Sequence, residues 1–268
     1  MKPKPTAATH AFATLAALAL PLITHTAVVG DEPTAAWPQW RGPHRDGRVA
    51  GPVWPDQLDA DHLRLLWRVE LGPSYSGPIV VADRVFTTET RDKKSEAVTA
   101  FDRTSGKELW RAEWEGALSV PFFAKSNGDW IRATPACDGE SLFVAGMRDV
   151  LVCLDAQTGN ERWRFDFVKQ LKAPLPAFGL VCSPLVEGDA VYVQAGASFV
   201  RLNKRSGEVV WRTLEDQGGM WGSAFSSPVM VDLAGSGSSS CKRGRSSRGW
   251  TPWMAGCSGR SRSRRFAG

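Results

Sequence analysis

The sequence predicts an all-β protein built from repeated four-stranded antiparallel units, and two recurring phrases support this prediction. The first phrase runs from a hydrophobic strand end through a polar turn to a tryptophan, and it occupies residues 100–110, 153–163 and 201–211. The second phrase places proline after Gly, Thr or Ser, at 76–78, 133–135, 182–184 and 226–228. The tryptophans recur about every 50 residues, a period typical of stacked units that cannot bury their faces alone.

The third repeat shows how four strands fit into one unit. Residues 184–186 are a short apolar run that predicts the innermost strand, and residues 190–194 are β-branched and aromatic, as a second strand requires. Residues 199–202 alternate between apolar and polar side chains, which predicts a half-buried third strand. Residues 208–211 are the outer strand. Trp67 ends a similar run ahead of the first repeat and is interpreted as belonging to a preceding unit.

The turn before each outer strand has a short acceptor side chain followed four residues later by glycine. These pairs are Asp102 with Gly106, Asp155 with Gly159, and Asn203 with Gly207. We expect the acceptor to bind the backbone amides of the turn while glycine takes the left-handed conformation. The strands that follow end on Trp110, Trp163 and Trp211. We expect these tryptophans to cover the seam with the next unit.

The first phrase resembles the repeat of the PQQ-like (pyrroloquinoline-quinone-like) β-propeller proteins, whose unit reads A-x-D-x-x-T-G-K-x-x-W. Residues 100–110 match it best, and the opening W-P-Q-W-R-G-P at 37–43 is similar to the start of many secreted bacterial members. The resemblance implies a β-propeller of four-stranded antiparallel blades over residues 37–235, incomplete at about three to four blades where closed propellers have about four to eight. It implies the fold more specifically than the function, because the family includes quinone dehydrogenases and an outer-membrane assembly factor.

The N-terminal residues 1–30 have the layout of a signal peptide. Lys2 and Lys4 precede an apolar run at 11–23, which is too short to span a bilayer comfortably. The sequence therefore predicts export, with a periplasmic or secreted location and no transmembrane span. An uncleaved anchor is the alternative interpretation.

Residues 236–268 differ in composition from everything before them. This segment is rich in Gly, Ser and Arg, lacks apolar periodicity, and is predicted to be a disordered tail. Codons for residues 240–259 can be chosen so that reading one base out of phase gives a string ending D-G-R-V-L-W, which is the missing fourth copy of the first phrase. The hypothesis is that the tail is frameshifted. The rival hypothesis is a genuine arginine- and serine-rich arm.

The net charge of +5 arises in this tail, which carries eight basic side chains from Gly235 onward and no acidic one. The rest of the chain has 25 basic and 28 acidic side chains, a net charge of −3. Nucleic-acid binding requires basic side chains on the folded surface. The sequence therefore predicts no nucleic-acid partner.

Candidate ligand-binding residues lie in the long connections between an outer strand and the next inner strand. They combine aromatic rings with cations: Trp130, Arg132, Lys172, Phe178 and Trp221. Such a mixture suits a planar, anionic or carbonyl-bearing ligand. The alternative interpretation is that these aromatic rings only pack the loops over the blade ends. The sequence identifies no catalytic or metal-ligating set, because the four histidines lie outside the repeats and Asp102 and Asp155 belong to turns.

Two functions remain open at this point. The favoured one is a non-catalytic binding or scaffold module at the cell envelope, without an established cofactor, whose partner is an envelope protein, a peptide or a polysaccharide. The alternative, implied by the resemblance, is a PQQ-dependent alcohol or sugar dehydrogenase. That enzyme would need calcium held by Glu, Asn and Asp side chains, and an unpaired Asp as general base. Vicinal cysteines, which occur in quinoprotein alcohol dehydrogenases, are missing from this sequence.

Overall fold

A computed structural model describes residues 36–49, 51, 53–220, 225–232, 239–241 and 255–256. The expected signal peptide at 1–30 lies outside the described residues, and so does most of the expected disordered tail at 236–268. Both remain predictions. Within the described residues, no helix is long and apolar enough to cross a membrane.

Three four-stranded antiparallel sheets follow one another along the chain, each in simple sequential order. The first contains β1 Ile79–Val81, β2 Arg84–Arg91, β3 Ser95–Asp102 and β4 Glu108–Glu115. The second contains β5 Ala136–Cys137, β6 Ser141–Gly146, β7 Val150–Asp155 and β8 Glu161–Asp166. The third contains β9 Leu185–Glu187, β10 Ala190–Ala195, β11 Ser198–Asn203 and β12 Val209–Thr213. The predicted all-β fold of four-stranded antiparallel blades is confirmed.

A fourth sheet begins after the last proline phrase. It has three described strands in sequential order, β13 Met230–Asp232, β14 Ser239–Cys241 and β15 Ala255–Gly256. The second and third of these strands lie within residues 236–268, where the sequence predicted a disordered tail without strands.

Two short helices lie in the connections from one sheet to the next. A 3₁₀ helix, Phe122–Asn127, lies between β4 and β5, and the helix α1, Phe167–Leu171, follows β8. The Asp166 carboxylate caps α1 by accepting a hydrogen bond from the Lys169 backbone amide at 3.0 Å. The repeated strands themselves contain no helix among the described residues.

Each sheet of the first three packs face to face with its neighbour, and the second sheet is buried on both faces. Because side chains alternate along a strand, β6 turns Leu142 and Val144 toward the first sheet, and Phe143 and Ala145 toward the third. All four of these side chains are fully buried. This two-sided burial explains why the repeat needs neighbours to be stable.

On the outer side, a tryptophan joins each unit to the turn of the next one. The indole N–H of Trp67 donates to the Arg103 carbonyl at 2.8 Å, that of Trp110 to the Ala156 carbonyl at 3.2 Å, and that of Trp163 to the Lys204 carbonyl at 3.0 Å. The turn glycine lies directly against the indole ring. A Cβ atom on it would lie 2.5–2.7 Å from ring carbons at Gly106, Gly159 and Gly207. Glycine is therefore required there by close packing as well as by its positive φ.

The turn acceptors take part in the hydrogen bonds that the sequence suggests. Asp102 Oδ1 accepts from the backbone amides of Thr104 and Ser105 at 3.1 and 2.7 Å. Asp155 Oδ1 makes the equivalent pair in the second repeat, and Arg162 in addition lowers the pKa of Asp155 to about 2. These carboxylates hold turns in place. Trp211 packs on Tyr192 and Phe199 of its own sheet, with ring centroids 6.1 and 5.8 Å away.

On the inner side, the proline phrases form a ladder of hydrogen bonds that crosses all four units. The backbone amide of Gly77 donates to Thr134 Oγ1 at 3.2 Å, that of Thr134 to Ser183 Oγ at 3.0 Å, and that of Ser183 to Ser227 Oγ at 2.9 Å. In each case the residue before proline donates to the hydroxyl of its counterpart in the next unit. The second recurring phrase thus specifies the register between units.

Residues 37–45, which we call the inner strap, contact the innermost part of three sheets in turn. Trp37 exchanges two backbone hydrogen bonds with Val80, at 2.8 and 2.9 Å, and the Pro38 carbonyl accepts from the Cys137 amide at 2.9 Å. The buried Arg45 guanidinium donates to the carbonyls of Pro184 and Ser183 at 2.8 and 3.1 Å. The strap therefore links the three units along their inner side.

Candidate functional site

The connections from each outer strand to the next inner strand leave the sheets at the same end as the turns between second and third strands. This end, which we call the loop face, comprises the connections 116–135 and 167–184, the described parts 214–220 and 225–229 of the third connection, and the turns 92–94, 147–149 and 196–197. Alternating strand direction in each antiparallel sheet brings these segments together. Trp130, Arg132, Lys172 and Phe178 lie on these connections.

An exposed row of aromatic rings runs across the loop face, and we call it the phenylalanine row. Ring centroids are 5.6 Å apart for Phe122 and Phe123, 6.2 Å for Phe123 and Phe178, and 5.7 Å for Phe178 and Phe225. Three of these side chains are widely exposed, at 85% for Phe122, 57% for Phe123 and 62% for Phe225. The row takes residues from all three connections and is an apolar surface of the kind that marks interaction sites.

A second aromatic group forms around Tyr75, which lies ahead of the first repeat. The Trp130 ring lies 5.2 Å from the Tyr75 ring, and the Arg132 guanidinium lies 5.1 Å from the same ring. Arg132 also donates to the Gly128 carbonyl at 2.9 Å, which fixes its direction. This contact between a cation and an aromatic face holds the end of the first connection.

The structure therefore divides the residues that the sequence proposed as one site. Trp130 and Arg132 lie together at Tyr75, whereas Phe178 belongs to the phenylalanine row. Lys172 is exposed at the end of α1, and no hydrogen bond or ring contact joins it to the other candidates in the described part of the chain. Trp221 lies outside the described residues. Whether any of them binds a ligand remains a prediction.

Three buried carboxylates, Glu89, Glu96 and Asp149, were missing from the sequence-based set, and the last two each link one unit to the next. Glu96 of β3 is fully buried and accepts hydrogen bonds from the Met147 backbone amide at 2.8 Å and from the Trp114 indole at 3.1 Å. Burial raises the pKa of Glu96 to about 7. Since Met147 is in the next unit, Glu96 is a link between units.

Asp149 plays the same part at the following seam. Its Oδ2 accepts from the Gly196 backbone amide of the third unit at 2.9 Å, and the side chain is 1% exposed. Its Oδ1 is buried and has no hydrogen-bond partner among the described residues. Burial, with a smaller contribution from the nearby Asp166 carboxylate, raises the pKa of Asp149 to about 7.

A signal for both carboxylates was present in the strand alternation. Glu96 precedes Val98 and Ala100 at two-residue spacing, and all three are buried. Asp149 precedes Leu151 and Cys153 in the same way. A carboxylate on the apolar face of a strand is a candidate for a buried hydrogen-bond acceptor, because an unpaired buried charge is costly.

Comparison with known proteins agrees with the repeat pattern. A family model described as "Outer membrane protein assembly factor BamB", of the PQQ-like repeat class, matches residues 94–242, which is more than half of the chain. The chain belongs to this family.

Two curated relatives match more than half of the chain. It is 25% identical over 190 residues to the polyvinylalcohol dehydrogenase of Sphingopyxis sp. (strain 113P3), and 27% identical over 169 residues to the quinohemoprotein alcohol dehydrogenase ADH IIB of Pseudomonas putida. These alignments cover 66% and 58% of this chain, but 28% and 23% of the relatives. The chain thus spans about a quarter of the length of the curated relatives that it matches.

Two solved structures are also similar to the chain. BamB from Moraxella catarrhalis superposes with a TM-score of 0.48 at 17% identity, covering 69% of this chain and 54% of that one. The quinohemoprotein alcohol dehydrogenase from Comamonas testosteroni gives a TM-score of 0.49 at 20% identity, covering 67% and 27%.

The quinone cofactor that the family resemblance implies would need a pocket of its own size beside a carboxylate that can act as general base. Of the three buried carboxylates, Glu96 has both oxygens hydrogen-bonded and Glu89 is paired with Arg91 and Arg111, so Asp149 is the one with an unpaired oxygen among the described residues. The cavity at Asp149 measures about 20 Å³, enough for one water molecule, whereas ligand pockets measure roughly 300 Å³ or more. This place does not fit a three-ring quinone. Within the described residues, no three His, Cys, Asp or Glu side chains are grouped to hold a metal ion.

Proposed function

We propose that this chain is a binding module of the cell envelope that holds a protein partner on its loop face. The phenylalanine row carries the proposal: three exposed rings and a half-buried one, supplied by three different connections, form one continuous apolar surface. Large exposed apolar patches are uncommon on proteins that have no partner. The description of the family as an outer membrane protein assembly factor supports an envelope protein as the partner.

The composition of the row favours a protein over a polysaccharide. Phenylalanine has no hydroxyl or N–H group with which to bind sugar hydroxyls, whereas it packs well against apolar side chains. Interfaces between proteins are accordingly rich in aromatic residues at their centre. The chain is expected to act outside the cytoplasm, in the periplasm or beyond, as its first residues and its relatives suggest.

The dehydrogenase alternative gives the first test of this proposal. We expect the purified chain, incubated with pyrroloquinoline quinone and calcium, to elute from gel filtration without quinone absorbance and to reduce no electron-accepting dye with alcohols or sugars. The physical reason is that the cavity at Asp149 is far smaller than the quinone. Saturable quinone binding with dye reduction would overturn the binding-module proposal in favour of the enzyme.

A further inference from the structure

Residues 63–71, which we call the outer segment, occupy the place of an outer strand, although they belong to no helix or strand. Trp67 lies in this segment, and its indole N–H donates to the Arg103 carbonyl in the same way as that of Trp110 donates to the Ala156 carbonyl one unit further on. Trp110 lies on β4, the outer strand of the first sheet. The outer segment is therefore placed as the outer element of a unit that would precede the first sheet.

The outer segment lacks the inner strands that accompany the other outer strands. In each of the first three sheets the fourth strand pairs with the third strand of the same sheet. The backbone of residues 64–71, in contrast, makes no hydrogen bond with the described part of the chain. Leu63, Leu65 and Leu66 in this segment are each more than half exposed. An unpaired backbone edge with apolar side chains is a ready template for pairing with another strand.

The fourth sheet lacks the element that the outer segment could supply. Its strands β13, β14 and β15 follow the order of the first three strands of the other sheets, and no fourth strand lies beside β15 among the described residues. Residues 257–268, which follow β15, contain no tryptophan that could close a copy of the first phrase. The described structure thus has an outer element without a sheet on one side and a sheet without an outer strand on the other.

We propose that a second copy of this chain supplies both missing elements. In this dimer the outer segment of each copy pairs antiparallel with β15 of the other copy, and two identical seams join the copies into one ring. Each copy brings four sheets, so the ring has eight units, which lies within the range of about four to eight blades in closed propellers. A twofold axis makes the two seams equivalent, as in most homodimers. The inference is independent of the partner proposed for the phenylalanine row, because the outer segment is not part of the loop face.

The packing between units favours a second copy over closure within one chain. Among the described residues no hydrogen bond or ring contact joins the outer segment to the fourth sheet. To bring the two together, one chain would have to change the angles between its units. The side chains between units are fully buried, as Leu142 and Phe143 are on the two faces of β6, and interiors packed this closely resist such a change. A second copy requires no change at these contacts.

Sedimentation velocity of the full chain tests the dimer, and we expect twice the mass of a single chain at micromolar concentrations. One variant replaces both Leu65 and Leu66 with proline. Because successive amides point to opposite sides of a strand, one of these two amides must face β15, and proline has no amide to donate. A second variant, Ser240→Pro, interrupts β14, which pairs with both of its neighbours. Each variant should raise the dissociation constant of the dimer about tenfold or more.

The matched control places the same two prolines at Gln57 and Leu58, which are exposed and lie outside the outer segment. We expect this control to keep the dissociation constant of the parent chain. Circular dichroism should match the parent for all three variants, because none of the substitutions lies in the first three sheets.

Mixing the two proline variants tests the reciprocal exchange itself. In a dimer of either variant alone, both seams contain one damaged element. In a mixed dimer the two damaged elements meet at one seam, and the other seam is intact. We therefore expect the mixture to dimerise more tightly than either variant by itself.

Four results would overturn the proposal. They are a parent chain that stays monomeric, a dimer that both proline variants leave unchanged, a mixture that associates no more tightly than the single variants, and open polymers that grow with concentration. A monomer that the proline pair at Leu65 and Leu66 destabilises would indicate that the chain closes on itself instead.

Discussion

Replacing Trp163 with alanine is expected to lower the free energy of unfolding by about 3–5 kcal/mol, the usual cost of removing a large aromatic ring from a packed site. The centroid of the Trp163 ring lies 5.9 Å from that of the Phe143 ring. The Trp163 ring also lies against Gly207, and its indole N–H donates to the Lys204 carbonyl. Its loss would open the seam between the second and third units. Urea unfolding followed by fluorescence and circular dichroism measures the change.

The matched control is Trp54→Ala, because Trp54 is 61% exposed and is not one of the tryptophans that join two units. We expect a change within about 0.5 kcal/mol for this variant. A loss below about 1 kcal/mol for Trp163→Ala would contradict the packing of this ring between the second and third units, because a change that small is typical of a surface side chain.

The stability of the chain is expected to fall as the pH rises from 5 to 8, and Glu96 is a main cause. Its pKa is about 7 in the folded chain against an ordinary value of 4.5. Because the folded state binds the proton more tightly, the contribution to stability is complete below the ordinary value and is lost as the pH rises through 7. The difference corresponds to roughly 3 kcal/mol for a group this deeply buried. Asp149, with a folded pKa of about 7, acts in the same direction.

The Glu96→Gln variant should therefore show a flatter dependence of the unfolding free energy on pH between 5 and 8. Urea midpoints at four pH values measure the slope, and Glu187→Gln at an exposed position is the control that should keep the slope of the parent chain. Asp155 does not interfere, because its pKa of about 2 lies below this window. A parent chain that gains stability from pH 5 to 8 would contradict this account of Glu96.

The fold could be predicted from the sequence because its determinants are local and repeated. The turn acceptors, the turn glycines and the closing tryptophans each occupy one place in a phrase, and the phrase recurs with every unit. The inner ladder could not be predicted in the same way. The Thr134 and Ser183 hydroxyls were visible as part of the second phrase, but which amide each one binds depends on the stacking of units about 50 residues apart.

The candidate site was predicted only in part, for a similar reason. Aromatic and basic residues on the connections were recognised, but their grouping depends on partners far away in the sequence. Trp130 and Arg132 converge on Tyr75, which precedes the first repeat, and Phe178 finds Phe123 and Phe225 on other connections. The burial of Asp149 likewise depends on a neighbouring unit, whose Gly196 amide donates to one of its carboxylate oxygens.

Site-specific photo-cross-linking tests the central claim, the loop face as a binding surface, most directly. A photoreactive phenylalanine analogue would replace Phe123 in the phenylalanine row, and in a separate variant Arg205, which lies in a turn at the opposite end of the third sheet. In the cells from which the chain comes, we expect a discrete cross-linked protein from position 123 and none from position 205. Equal cross-linking from both positions, or none from position 123, would contradict the account.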